Sequence, residues 1–193
     1  MDTYPFAIAT LPNFVEYLCS EGAFLPHEIQ RINELWQAEK SDEAELEGGV
    51  SQDDTLRKSS IIPIYTNNVN KWIFDKMAQY IGESNQYYNF DLNGIYEPLQ
   101  LAEYGIGDFF DWHLDFGSGE SSTRKLSLTI QLSDPSEYEG GDLEFQINNK
   151  TVKAPRAQGT VIIFPSFIMH RVTEITKGNR RSIVGWVSGP PYR

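Results

Sequence analysis

The chain has three histidines, His27, His113 and His170, so any chemistry that needs imidazole must draw on these. His113 stands in Trp112-His113-Leu114-Asp115. On an extended strand, residues two apart point to one side, so His113 and Asp115 can face a common point. His170 follows Phe167-Ile168-Met169, beyond an apolar run that ends in Phe164-Pro165. Two neutral imidazoles and one carboxylate leave about three positions of an octahedral ferrous ion open, which is what oxygen activation requires. Past His170 comes Arg180, and by strand alternation Arg180, Ser182, Val184 and Trp186 share one face while Arg181 points the other way. A guanidinium can hold a carboxylate by two parallel hydrogen bonds, and a nearby hydroxyl can add a third. The strand that closes a metal pocket can therefore also anchor a dicarboxylate. Each element has an ordinary alternative: a polar strand end for His113 and Asp115, a packed core residue for His170, and a surface charge after a Lys177-Gly178-Asn179 hairpin turn for Arg180. Asp111 reads as a surface acid or a partner behind the site, and His27 as a surface residue at a helix start.

These side chains need a scaffold that brings distant segments together. From about Leu92 onward, short runs rich in β-branched and aromatic residues alternate with Gly, Asp, Asn and Pro. Strands are expected at Gly94–Tyr104, Phe109–Asp115, Lys125–Leu132, Asp142–Ile147, Thr151–Lys153, Thr160–Phe164, His170–Glu174 and Arg180–Ser188. Many short strands at near-regular spacing predict a sandwich or barrel. Two helices precede this block. The first starts at Pro26, runs to about Lys40, and carries Ile29, Ile32, Leu35 and Trp36 on one face. The second covers about 69–83 with Trp72, Ile73, Met77, Tyr80 and Ile81 as its stripe. Between them, the run from Ser59 to Asn67 reads as a strand in which Pro63 marks an edge or a bulge. The helices are expected to pack on one face of the β block. The Gly140-Gly141 pair is expected to allow positive φ and a tight return into the strand beginning at Asp142.

Composition narrows the function classes. With 193 residues and 40% hydrophobic content, the chain reads as a single domain, 1–193, able to bury a core. Residues 1–90 form its helix and strand support, and 91–193 its β core. The net charge of −11 argues against gripping nucleic acid or an anionic membrane by charge alone. That charge is uneven: residues 1–56 hold 12 acidic and 2 basic residues. Much of the excess lies between Lys40 and Leu56, a stretch expected to be a solvated, mobile loop, or a lid or acidic collar that attracts a basic partner. No apolar run approaches the roughly 20 residues of a membrane span, and the start MDTYPFAIAT has no basic n-region, so a cytoplasmic location is expected. The single cysteine, Cys19, excludes an internal disulfide.

Four segments together resemble the iron(II)- and 2-oxoglutarate-dependent dioxygenases, in their prolyl 4-hydroxylase-like and PKHD-type branch. They are Tyr104-GIGDFFDW-His113-Leu-Asp115, Leu126-SLTIQLSDPSEYEGGDLEF-Gln146, Gly159-TVIIFPSFIM-His170-Arg-Val172 and Gly178-Asn-Arg180-Arg-Ser182-IVGW-Val187. Order, spacing and flanking residues agree over residues 98–188. The resemblance implies a mainly β, α+β fold with a double-stranded β-helix core and supporting N-terminal helices. It implies His113, Asp115 and His170 as iron ligands and Arg180 as the anchor for the distal carboxylate of 2-oxoglutarate, with Ser182 beside it. It also implies Tyr104 as a donor toward the co-substrate, Gln131 or Thr129 as a pocket residue where some relatives have a Tyr, and Trp186 as a pocket wall.

The activity so implied is hydroxylation of a C–H bond with iron(II), 2-oxoglutarate and dioxygen, and with ascorbate as an accessory the family allows. A prolyl residue in a protein or peptide is the leading substrate. A free amino acid or other small molecule is the alternative among enzymes, and a non-catalytic metal-binding β-helix is the alternative outside them. The Arg57-Lys58-Ser59-Ser60 run reads either as a reach toward the substrate entrance or as a solvated edge.

Overall fold

The structure is a computed structural model that describes residues 15–43 and 55–192. Its first elements are β1 (Leu18–Ser20), α1 (Pro26–Glu43), β2 (Arg57–Lys58), β3 (Ser60–Ile64) and α2 (Lys71–Tyr88). Ten strands follow: β4 (Leu99–Tyr104), β5 (Phe109–His113), β6 (Arg124–Gln131), β7 (Tyr138–Gly140), β8 (Leu143–Ile147), β9 (Lys150–Lys153), β10 (Val161–Pro165), β11 (His170–Val172), β12 (Ile175–Gly178) and β13 (Arg180–Ser188). They build a six-stranded sheet in the order β1-β10-β6-β13-β4-β3, a five-stranded sheet in the order β2-β5-β11-β8-β9, and a β12-β7 pair. The two larger sheets face each other as a double-stranded β-helix, the mainly β architecture expected. Among the described residues, no helix is long and apolar enough to cross a membrane.

Strand alternation explains how one sheet serves two interiors. Leu126, Leu128 and Ile130 of β6 and Ile183 and Val187 of β13 pack with Ile32 and Trp36 of α1 and Ile73 and Met77 of α2. The residues between them, Ser127, Thr129, Ser182 and Trp186, are buried on the other face. A second interior joins the sheets through Leu143, Phe145, Ala154, Ile162 and Phe164. The helices are tied by charge as well. Glu28 accepts from the Leu25 amide at 2.7 Å at the first turn of α1, and from Lys76 Nζ of α2 at 2.7 Å. That hydrogen bonding lowers the Glu28 carboxyl below its ordinary range, against the opposing pull of desolvation.

Several boundaries differ from the sequence expectation. α1 runs on to Glu43, because neither Gly nor Pro interrupts it before Gly48. Residues 40–43 of the expected acidic loop are therefore helical, and 44–54 lie outside the described residues. α2 continues past 83 to Tyr88 and stops where Asn89 turns left-handed, its amide donating to the Asn85 carbonyl at 2.7 Å. β4 begins at Leu99 rather than Gly94, since Pro98 offers no ladder donor, and Gly94 makes only an isolated bridge to Ser188. The Lys177-Gly178-Asn179 segment is not a hairpin turn. Gly178 pairs with Tyr138 as the end of β12, and Arg180 opens a strand that is paired on both sides.

Gly140 and Gly141 do adopt positive φ, 76° and 62°. A Cβ on Gly141 would stand 2.3 Å from Ile175 Cδ1 and 3.0 Å from Arg180 Cδ. Gly141→Ala is therefore expected to cost about 1–3 kcal/mol of stability, read as a lowered melting temperature, because left-handed strain and a clash act together.

Candidate active site

β5 and β11 lie side by side with His113 opposite His170. Their ring centroids are 4.1 Å apart. Asp115 lies just past the end of β5, where its amide and that of Phe116 donate to the Ser166 carbonyl at 3.1 and 2.9 Å. Its carboxylate meets both rings, with Oδ1 3.7 Å from His113 Nε2 and Oδ2 3.4 Å from His170 Nε2. One donor atom from each of the three residues falls within a 4.8 Å cluster. Both Nδ1 atoms are turned away, lying 2.7 Å from the Asp111 carbonyl for His113 and 2.9 Å from the Ile168 carbonyl for His170. A carbonyl only accepts, so each Nδ1 carries the proton and each Nε2 keeps its lone pair toward the cluster. Two imidazole nitrogens and one carboxylate at this spacing suit a divalent first-row metal.

The electrostatics hold His113 and Asp115 in their ligand forms. Burial, then the neighbouring His170, lowers His113 to about 4, so this ring is neutral near pH 7. Burial pushes the Asp115 carboxyl upward, but the two imidazoles, the Ser127 hydroxyl and the Trp186 indole outweigh it and leave the group below its ordinary range. Ser127 Oγ donates to Asp115 Oδ2 at 2.6 Å and lies 3.0 Å from Ser166 Oγ. Arg124 holds the same residue through the backbone, donating to the Asp115 carbonyl at 3.1 Å. Arg124 is itself fixed by Glu97 and by the face of Trp186, 3.8 Å from the ring centroid.

The cluster opens into a cavity between the sheets. Leu143, Phe164, Val172 and Val184 give it apolar walls, and Arg180 reaches into it. Arg180 is only 1% exposed, yet no carboxylate among the described residues pairs with it. Its Nε has no hydrogen-bond partner, and its contact with Ser182 Oγ is long, 3.4 Å. A buried cation left so open is costly unless an anion completes it. Arg181, on the opposite face, is bound to Glu103 at 2.6 Å and lies over Trp36.

The sequence-predicted residues separate clearly. His113, Asp115, His170, Arg180, Tyr104, Ser182, Thr129 and Trp186 all line the cavity. Gln131 does not; it stands behind Arg180. Asp111 is exposed and offers the site only its backbone carbonyl. His27 is exposed at the start of α1.

Sequence reasoning missed two contributors, Ser127 and Phe110, and left a third, Arg57, between the substrate entrance and a solvated edge. Ser127 supports the carboxylate, Phe110 stacks on His113 at 3.4 Å, and Arg57 lines the cavity over Phe110. Of the two missed, Ser127 had a readable signal, since it shares the parity of Thr129. Arg57 comes from a two-residue strand whose partner is remote in sequence.

A family model described as the 2OG-Fe(II) oxygenase superfamily matches residues 99–188. A PKHD-type hydroxylase of Prochlorococcus marinus is 31% identical over 161 residues, covering 82% of this chain and 69% of that protein. A PKHD-type hydroxylase of Hyphomonas neptunium is 38% identical over 96 residues, covering 48% of this chain and 43% of its own. Among solved structures, a Pseudomonas putida prolyl-4-hydroxylase is similar with a TM-score of 0.70 and 21% identity, covering 91% of this chain and 93% of that one. A Trichoplax adhaerens prolyl hydroxylase, solved with a peptide fragment of the hypoxia inducible factor oxygen degradation domain, is similar with a TM-score of 0.72 and 16% identity, covering 90% and 84%. At these identities the two solved structures share the fold.

Proposed function

Since this chain belongs to the 2OG-Fe(II) oxygenase superfamily, in its PKHD-type and prolyl 4-hydroxylase-like branch, we propose that it hydroxylates a prolyl residue in a protein or peptide. The family's chemistry uses iron(II), 2-oxoglutarate and dioxygen. In this reading His113 Nε2, one oxygen of Asp115 and His170 Nε2 hold the iron, and Arg180, with Ser182 beside it, holds the distal carboxylate of 2-oxoglutarate. The bound metal supplies oxidative decarboxylation of 2-oxoglutarate to succinate and carbon dioxide, coupled to insertion of one oxygen atom into a substrate C–H bond.

The chain's own residues supply geometry. Ser127 and the Asp115 backbone contacts fix the carboxylate, the two backbone carbonyls fix the imidazoles, and the apolar walls exclude water. Tyr104 packs beside Arg180, its ring 5.6 Å from the guanidinium carbon, within reach of the same co-substrate. Residues 91–193 form the catalytic core in this reading and 1–90 its support, with ascorbate as the accessory reductant that would keep a bound iron ferrous.

One observation carries the proposal: a three-donor cluster with free Nε2 lone pairs shares a cavity with a buried arginine that has no counter-ion among the described residues. A second reading, hydroxylation of a free amino acid, is favoured by Arg57. Among the described residues its guanidinium, which lines the cavity, has Ser59 and Gln100 as hydrogen-bond partners and no carboxylate, so it can take one from a ligand. Anaerobic addition of ferrous iron and 2-oxoglutarate is expected to give a weak visible charge-transfer band, and no band with no 2-oxoglutarate affinity would favour a non-catalytic module. Succinate release is then compared with prolyl peptides and with free amino acids. Stimulation by amino acids alone overturns the prolyl-peptide reading.

A further inference from the structure

We propose that Gln131 is a positioning residue that aims Arg180 while leaving its positive charge unspent, an inference that rests on Arg180 being the 2-oxoglutarate anchor. Gln131 and Arg180 are both almost fully buried, at 2% and 1% exposure. Gln131 ends β6 and is paired with Ser182 of β13. Its backbone is pinned by both of its polar groups to one neighbouring segment, with its amide donating to the Thr160 carbonyl at 2.9 Å and its carbonyl accepting from Gly159 at 2.8 Å.

The side chain is pinned as well, and in one sense only. Its Nε2 donates to the Pro155 carbonyl at 3.1 Å, and its Oε1 accepts from Arg180 Nη2 at 2.9 Å. A carbonyl cannot donate and a guanidinium cannot accept, so the carboxamide cannot be flipped without losing both bonds.

The consequence is electrostatic. A carboxylate at this position would neutralise the guanidinium and compete with any incoming carboxylate. A carboxamide of the same shape supplies the acceptor and no charge. The guanidinium is thereby oriented before a ligand arrives, with Nε unpartnered and Nη1 only weakly held by Ser182. Gly141, whose missing side chain leaves Arg180 Cδ its room, completes the mould. Gln131 acts from behind the arginine, because it does not line the cavity.

The test uses the whole chain loaded with Mn(II), which keeps the metal site filled without turnover. 2-Oxoglutarate is titrated calorimetrically into wild type, Gln131→Glu and Gln131→Met, with 2-oxobutyrate, a 2-oxo acid lacking the distal carboxylate, as control. Gln131→Glu is expected to weaken 2-oxoglutarate binding by at least about tenfold, with 2-oxobutyrate binding unchanged. The ligand-free Gln131→Glu protein gains an ion pair with Arg180 but sets a carboxylate oxygen against the Pro155 carbonyl, so its melting curve is read only to show that the variant is folded. Gln131→Met, which has no acceptor and no charge, is expected to weaken 2-oxoglutarate alone by about threefold or more, and it keeps the question open if the glutamate variant fails to fold. Wild-type 2-oxoglutarate affinity in a folded variant, or equal weakening of both 2-oxo acids, overturns the role of Gln131. A wild type that binds 2-oxobutyrate but gains nothing from the distal carboxylate overturns the assignment of Arg180. A wild type that binds neither acid overturns the proposed function with it.

Discussion

Replacing His113 or Asp115 with alanine is expected to abolish succinate release from 2-oxoglutarate, to below about a thousandth of the wild-type rate. The expectation follows from how few donors the cluster has. Among the described residues, His113, Asp115 and His170 are the only three-residue group with metal-ligand spacing. Asp115 is the sole anion in it, and it is the group that Ser127, Trp186 and both imidazoles hold in its ionised form. Its loss leaves two imidazoles and no anion, a set that binds a divalent ion far less tightly than the full one. Loss of His113 removes a ring already neutral near pH 7, which binds metal without first shedding a proton. The measurement is succinate by chromatography beside a melting curve that shows each variant folded. His27→Ala is the matched control, because His27 is exposed at the start of α1 and should retain full activity. Unchanged turnover in either site variant rejects the metal assignment.

The second large effect separates two adjacent arginines. Arg180→Ala is expected to raise the KM for 2-oxoglutarate by about a hundredfold, since it removes a buried, charge-assisted contact that solvent cannot replace. Arg181→Ala should leave that KM unchanged and lower stability by about 1 kcal/mol, because its losses are the Glu103 ion pair and the packing over Trp36 on the helix side of the sheet. Initial rates across a 2-oxoglutarate series decide the matter. An equal rise in KM for Arg181→Ala would show that the wrong arginine had been chosen.

The separation of Arg180 from Arg181 was legible in the sequence because a strand has a period of two and β13 is long enough to display it. Alternation likewise sets Ser127, Thr129 and Gln131 of β6 opposite Leu128 and Ile130. It could not say that Thr129 reaches the cavity wall while Gln131 stops behind Arg180, because that depends on where the Pro155 carbonyl sits, a residue 24 positions away. β7 and β12 were missed for a related reason. Each is three or four residues long, too short for alternation to show, and each exists only because the other pairs with it. The helix stripes of Ile29, Ile32 and Trp36 and of Ile73, Met77 and Ile81 were readable because a 3.6-residue period repeats several times in each. For Arg57 the sequence left two readings, the substrate entrance or a solvated edge, since its position depends on pairing with Phe110 across more than 50 residues of chain.

The two halves of the cavity are built to different strengths. β13 lies in the middle of the six-stranded sheet, laddered to β4 on one side and β6 on the other, with Ile183 and Val187 sunk beneath the helices. β11 has three residues, and its register with β5 slips between His170 and Val172. Hydrogen exchange under mild denaturant should therefore proceed unevenly, with the β5 and β11 amides opening in a partial, local event and those of β13 exchanging only when the whole sheet opens. A chain caught between these steps would have let go of its metal while its anion socket was still shaped. Reassembly would begin from a preformed arginine pocket, with the histidine strands closing last.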